Sequence, residues 1–230
     1  MVKIKTILQK VKRKWMKLRL QPIRVFCLHH VCNHFDAETM YPYDWIELDS
    51  FKNRIAELKS IGYRFISLSE AYIHLNNDLF RAKKYAVLTF DDGYKTLLDI
   101  LPWLEEQNIP VTLFINAKYL DGVSFRENPK ERYLSYDELF SLTSPTIEIG
   151  HHGWEHNLVD NMSKKEFELS ISRNSKILEK HPRFIPYWAY TCGKHTEEND
   201  ELLHANKIIP VLINGNKNYK YLGSIDRELL

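Results

Sequence analysis

Four short apolar runs of this chain end in side chains that bind metals or move protons, and this placement constrains the fold more tightly than any other feature. Residues 23–28 lead into His29-His30, 85–90 into Asp91-Asp92-Gly93, 146–149 into Gly150-His151-His152-Gly153-Trp154-Glu155-His156, and 187–190 into Thr191-Cys192-Gly193. Further apolar runs lie at 64–66, 111–115 and 208–213. Between them, residues 48–61, 69–75, 94–106, 135–142, 163–180 and 197–205 read as amphipathic helices. Ser135 precedes Glu138 by three and Ser163 precedes Glu166 by three, the spacing of a capping box. The alternation predicts an α/β fold of six or seven β/α repeats. In parallel β/α barrels the C-terminal strand ends converge on one face, so the four polar segments can share a site.

With 230 residues, 44% of them apolar, the chain can bury one sizeable core and falls short of two full domains. Residues 23–215 read as that domain, 1–22 as a basic amphipathic appendage and 216–230 as a C-terminal tail with weak signals. The net charge of +2 conceals an asymmetry, because residues 1–20 hold eight basic side chains and no acid, leaving 24 basic against 30 acidic residues elsewhere. An acidic body argues against a nucleic-acid partner. The basic segment, with Ile4, Ile7, Leu8, Val11 and Trp15, suits peripheral contact with an anionic membrane, and fits a solvated helix or disordered leader equally well. No apolar stretch long enough for a signal peptide or a transmembrane helix follows it. Cys27, Cys32 and Cys192 make neither a paired disulfide framework nor a structural zinc spacing, so the expected location is the cytoplasm.

Adjacent carboxylates on an extended backbone point apart, which gives Asp91 and Asp92 separate roles. One can bind a divalent metal while the other accepts a proton from water that the metal has acidified. An acidic Asp-Gly turn is the structural alternative. His152 and His156, four apart in a glycine-containing loop beside His151, supply two imidazoles. Two histidines and one carboxylate leave an open position for water, as in catalytic zinc centres; iron, cobalt and nickel suit the same donors.

These residues resemble the polysaccharide deacetylase family, the NodB-homology or carbohydrate esterase family 4 group. Thr89-Phe90-Asp91-Asp92-Gly93-Tyr94 is similar to its Thr-Phe-Asp-Asp-Gly motif, and the histidine segment is similar to its His-Ser/Thr-x-x-His motif, with Gly153 in place of the hydroxyl residue. The resemblance runs over about residues 24–215. It implies a distorted, TIM-barrel-like (β/α)7 barrel that removes acetyl groups from N-acetylated sugars of a glycan, with metal-bound water as nucleophile. It further implies a divalent metal, zinc first among the candidates, held by Asp92, His152 and His156, with Asp91 as general base. Phe26-Cys27-Leu28-His29-His30-Val31 resembles the segment of members whose acid histidine lies near the N-terminus, which implies His29 as general acid. His30 is the nearest competitor, since a one-residue shift reverses which neighbour points inward. His204, in a helical stretch, ranks below both.

The third motif departs most. Relatives carry Arg-Pro-Pro-Tyr-Gly or Ala-Tyr-Pro-Tyr-Gly where this chain has Ala189-Tyr190-Thr191-Cys192-Gly193, so the arginine that often orients the base is missing from the motif. The resemblance leaves the backbone N–H at Cys192 as an oxyanion donor. Trp154 and Trp188 are candidates for the sugar cleft, with core packing as the alternative. Two other readings stay open: a non-catalytic glycan-binding protein that keeps the fold, and a metal-dependent hydrolase of other linear amides.

Overall fold

Strands form where β-branched and aromatic residues run unbroken between turn signals. The computed structural model describes residues 21–33, 44–77, 83–121 and 133–230. The basic segment 1–20, and any membrane contact through it, lies outside the described residues. Among those described, no helix is long and apolar enough to cross a membrane.

The strands are β1 (Ile23–Leu28), β2 (His30–Cys32), β3 (Trp45–Glu47), β4 (Tyr63–Phe65), β5 (Lys84–Phe90), β6 (Val111–Ile115), β7 (Ile147–His151), β8 (Phe184–Ala189), β9 (Ile209–Val211) and β10 (Glu228–Leu229). The helices are α1 (Leu48–Ser60), α2 (Leu68–Asn77), α3 (Leu97–Glu106), α4 (Tyr136–Ser141), α5 (Lys164–Leu178) and α6 (Glu197–Ala205). The main sheet runs β10-β1-β5-β6-β7-β8-β9, every pair parallel. β4 pairs with the N-terminal half of β5. A small parallel pair, β2 with β3, stands apart. The result is a curled α/β sheet of the TIM-barrel-like kind.

Residues 216–230 are not a tail. Ile225 bridges Val211 in parallel, the Arg227 N–H donates to the Leu212 carbonyl at 3.1 Å, and β10 pairs with β1. The C-terminal segment thus joins β9 to β1, the two margins of the sheet. Arg24 on β1 clasps Glu228 through two hydrogen bonds of 2.7 and 2.8 Å. The physical reason is edge satisfaction: two exposed strand margins leave rows of unpaired N–H and C=O groups, and this segment pairs both.

Period-2 alternation then sorts the side chains. Phe26, Leu28, Leu88, Phe90, Leu113, Ile115 and Ile149 join the cluster that packs against Ile55, Ile100 and Leu104 of the helices. Ile23, Val25, Tyr85, Val87 and Phe114 fall on the opposite face, with Tyr187, Val211 and Ile225. That second face is the inner one, and Cys27, Thr89 and Asp91 continue it toward the C-terminal strand ends. Gly150 belongs there because a Cβ at this position would meet the Phe114 ring at 2.7 Å.

Both predicted capping boxes form. Ser163 accepts from the Glu166 N–H while the Glu166 carboxylate accepts from the Ser163 N–H, and Ser135 with Glu138 does the same. Ser163→Ala is expected to lower stability by about 1 kcal/mol, read as a shifted urea midpoint at constant m-value.

Candidate active site

The inner face changes from apolar to polar at the C-terminal strand ends, and a cavity of about 610 Å³ opens there. Asp91, Asp92, His152, His156, His29, Cys27 and Arg227 all line it. Asp91 follows the last residue of β5 in inward phase. Asp92 does not follow the extended backbone assumed from sequence; its φ of 68° turns the chain, so both carboxylates enter one cavity. Aspartate tolerates this left-handed conformation better than most residues. The two carboxylates still have different partners.

Asp92 Oδ1 lies 3.3 Å from His152 Nε2 and 3.2 Å from His156 Nε2. In a tetrahedral site with ligand bonds of about 2.0–2.1 Å, neighbouring donor atoms stand roughly 3.3 Å apart. The spacing fits a metal. So does the bonding: Asp92 Oδ1 is buried without a hydrogen-bond partner, and His152 Nδ1 lies 2.9 Å from the Ala189 carbonyl. That carbonyl can only accept, so Nδ1 carries the proton and Nε2 presents a lone pair to Asp92 and His156. Burial alone would raise the Asp92 pKa, but His152 and His156, when both rings are protonated in the absence of a metal, hold it below the ordinary carboxylate value. The His152 pKa is pushed down by burial and up, with the larger net effect, by the charges of Asp91 and Asp92. Among the described residues, two groups could hold a metal ion: this triad, and Cys27 with His29 and Asp91.

Asp91 faces Arg227. The guanidinium gives two hydrogen bonds, Nη1 to Oδ1 at 2.6 Å and Nη2 to Oδ2 at 2.9 Å, and also donates to Thr89 Oγ1 and the Leu212 carbonyl. It lies over the Phe114 ring and is 0% exposed. Burial would raise the Asp91 pKa; the Arg227 charge prevails and holds it at about 2. The arginine missing from the third motif is therefore supplied from the far end of the sequence. Sequence reasoning missed it, because Asp226-Arg227-Glu228 reads as a solvated charge run.

Phase sends the two N-terminal histidines to opposite faces. His29 shares the inner face with Cys27 and Val25, lines the cavity, and sets Nδ1 3.8 Å from Asp44 Oδ1. His30 turns the other way, stacks on Tyr94 at 3.9 Å between ring centroids, and places Nδ1 3.1 Å from Thr96 Oγ1. His204 lies on α6 and does not line the cavity. The same rule separates His151, which packs outward against Phe184 and Trp188, from the inward His152. Cys192, in a left-handed turn with φ 51°, and Gly193 line the cavity beside Tyr190. Neither tryptophan does so: Trp188 is core, 2% exposed, and Trp154 borders a separate hollow of about 500 Å³.

A sequence model of the polysaccharide deacetylase family matches residues 80–208. The chain belongs to the polysaccharide deacetylase family. The chain is 21% identical over 151 residues to YxkH of Bacillus subtilis (strain 168), a protein named for polysaccharide deacetylases, a stretch covering 64% of this chain and 51% of that protein. The chain thus spans about half the length of that curated relative. Its fold is similar to that of IcaB from Ammonifex degensii, with a TM-score of 0.75, 20% identity, and 91% and 92% of the two chains covered. A de-N-acetylase from Aggregatibacter actinomycetemcomitans gives 0.74, 18%, and 91% and 95%. Streptococcus pyogenes deacetylase PplD, solved with acetate, gives 0.74, 19%, and 91% and 92%. His29 and Arg227 both fall outside the family match, and only the fold brings them to the same cavity.

Proposed function

We propose that this protein is a metal-dependent carbohydrate deacetylase that hydrolyses the N-acetyl group of a glycan. The observation that carries the reading is the convergence of Asp92, His152 and His156 at metal-ligand spacing beside an arginine-clamped Asp91. Asp92, His152 and His156 would hold a divalent ion, which would supply Lewis acidity toward the acetyl carbonyl and toward water. Zinc suits the two imidazoles and one carboxylate, as do cobalt, nickel and iron.

Asp91 takes the proton of the attacking water. Its clamp fixes the carboxylate plane, so the base needs no reorganisation as charge develops. His29 delivers a proton to the leaving amine from the end of β1, with Asp44 close enough to orient its ring. The backbone N–H at Cys192 offers hydrogen-bonding stabilisation to the tetrahedral oxyanion, a role independent of the side chain there. The acetate in the similar PplD structure and the de-N-acetylase activity in the name of another neighbour agree with hydrolysis of an N-acetyl group that releases acetate.

The test is acetate release from N-acetylhexosamine oligomers by metal-stripped protein reloaded with zinc, cobalt or nickel. Activity restored by metal and lost in Asp91→Asn and His152→Ala is expected. Activity unchanged by chelation, or retained in both variants, overturns the assignment. Turnover of small non-sugar amides at rates matching those of N-acetyl sugars would move the protein to a broader amidase role.

A further inference from the structure

We propose that Cys27, His29 and Asp91 form a second cation site, selective for a thiophilic divalent ion such as Zn²⁺, beside the Asp92–His152–His156 triad. One sulfur, one nitrogen and one carboxylate oxygen from these residues lie within 4.8 Å of one another. Cys27 Sγ stands 3.4 Å from Asp91 Oδ2. Zinc–sulfur and zinc–oxygen bonds of about 2.3 and 2.0 Å at a tetrahedral angle put those two atoms roughly 3.5 Å apart. The edge is therefore already at ligand spacing.

The origin of the site is the strand phase. Cys27 and His29 are two apart at the end of β1, so both face inward, and β1 pairs with β5 with Leu28 opposite Phe90, directly before Asp91. Thiolate with imidazole selects zinc, cadmium or cobalt over magnesium and calcium, which prefer all-oxygen shells. On coordination the thiol proton passes to solvent, and the site contributes one thiolate and one carboxylate charge. Asp91 Oδ2 is 3.9 Å from His152 Nε2, which makes the two sites immediate neighbours. Arg227 already donates to both Asp91 oxygens, and its positive charge opposes a second cation. The second site thus fills after the first, with affinity about tenfold weaker or more.

The consequence rests on the proposed deacetylase mechanism. A second ion would occupy its general base and its general acid together. Zinc beyond the first equivalent then inhibits turnover, making the cavity a sensor of metal excess.

The deciding measurement is titration of the full-length, metal-free protein with Co²⁺ under reducing conditions. The first equivalent is expected to bring visible d–d bands without thiolate absorption. The second is expected to add a near-ultraviolet thiolate-to-cobalt charge-transfer band, which persists in Cys192→Ser and vanishes in Cys27→Ser. Equilibrium dialysis against Zn²⁺ is expected to give two equivalents for the wild type and one for Cys27→Ser. A wild-type spectrum with no thiolate band at two equivalents overturns the proposal, whatever the variants do. A band that survives Cys27→Ser overturns it as well. Neither readout uses acetate release, so a protein with both ions and no deacetylase activity would refute the proposed function and leave the second site standing.

Discussion

Replacing Arg227 with methionine is expected to lower kcat by on the order of 10²-fold and to destabilise the fold by about 3–5 kcal/mol. Methionine fills much of the same volume without charge, so Asp91 is left 3% exposed with no counter-ion bonded to it. Stranding one member of a buried pair costs far more than the pair itself contributes, because the survivor keeps its desolvation penalty. The native geometry is over-determined: two bonds to Asp91, one to Thr89, one to the Leu212 carbonyl and a ring contact with Phe114. Arg227→Lys keeps the charge and loses the two-pronged fit, so it is expected to recover part of the stability and little of the rate. A purely structural role would leave kcat intact in folded protein. Metal stoichiometry in Arg227→Met separates the cases further, since the clamp does not touch Asp92, His152 or His156. A kcat within about threefold of wild type would sink the positioning role.

The clamp also explains which parts of the chain were legible from sequence. Strands β1, β5, β6 and β8, helix α6 and both capping boxes follow from local signals: apolar period, a Ser-x-x-Glu spacing, a glycine after a helix. Their signals are local, so the sequence distance of the strand pairings does not hide them. The convergence of the acidic pair with the histidine segment was legible for a related reason, because both sit just beyond apolar runs whose parallel packing was predictable. The choice of Asp92, His152 and His156 as a ligand set came from the family resemblance. β10 left no such trace. It is two residues long, and what holds it is Arg24 on β1, 204 positions away in sequence.

Arg227 was hidden for the same reason, since its burial depends on an acid 136 positions earlier. A charged side chain is buried only when a partner awaits it, and no local pattern reveals that partner. Which of His29 and His30 faces the cavity was closer to readable than it looked. Val25 and Cys27 fix the phase of β1, and extending that phase by two residues selects His29. Asp92 could not be placed this way because its left-handed backbone breaks the alternation.

His151 carries the second large expectation, a pH effect on stability rather than on chemistry. It is 0% exposed, with Nδ1 3.0 Å from Asn174 Nδ2 and Nε2 without a hydrogen-bond partner. Since the Asn174 amide nitrogen donates, Nδ1 accepts and Nε2 holds the proton of a neutral ring. Burial pushes its pKa down from 6.5 to about 3. Above the unfolded value both states are neutral, and the group takes nothing from stability. As the pH falls through 6.5 the unfolded chain gains a proton that the folded chain refuses until about 3, so stability is lost across that window. The loss runs at about 1.4 kcal/mol per pH unit, or roughly 5 kcal/mol in all. His151→Asn keeps an acceptor for Asn174, removes the unpartnered N–H and cannot titrate. Its stability at pH 7 is expected within about 2 kcal/mol of wild type, with a visibly flatter decline between pH 6 and 3. Urea unfolding of metal-free protein at steps across that range supplies the comparison. Parallel declines in the two proteins would show that His151 is protonated in the folded state or that the acid loss belongs to the carboxylates.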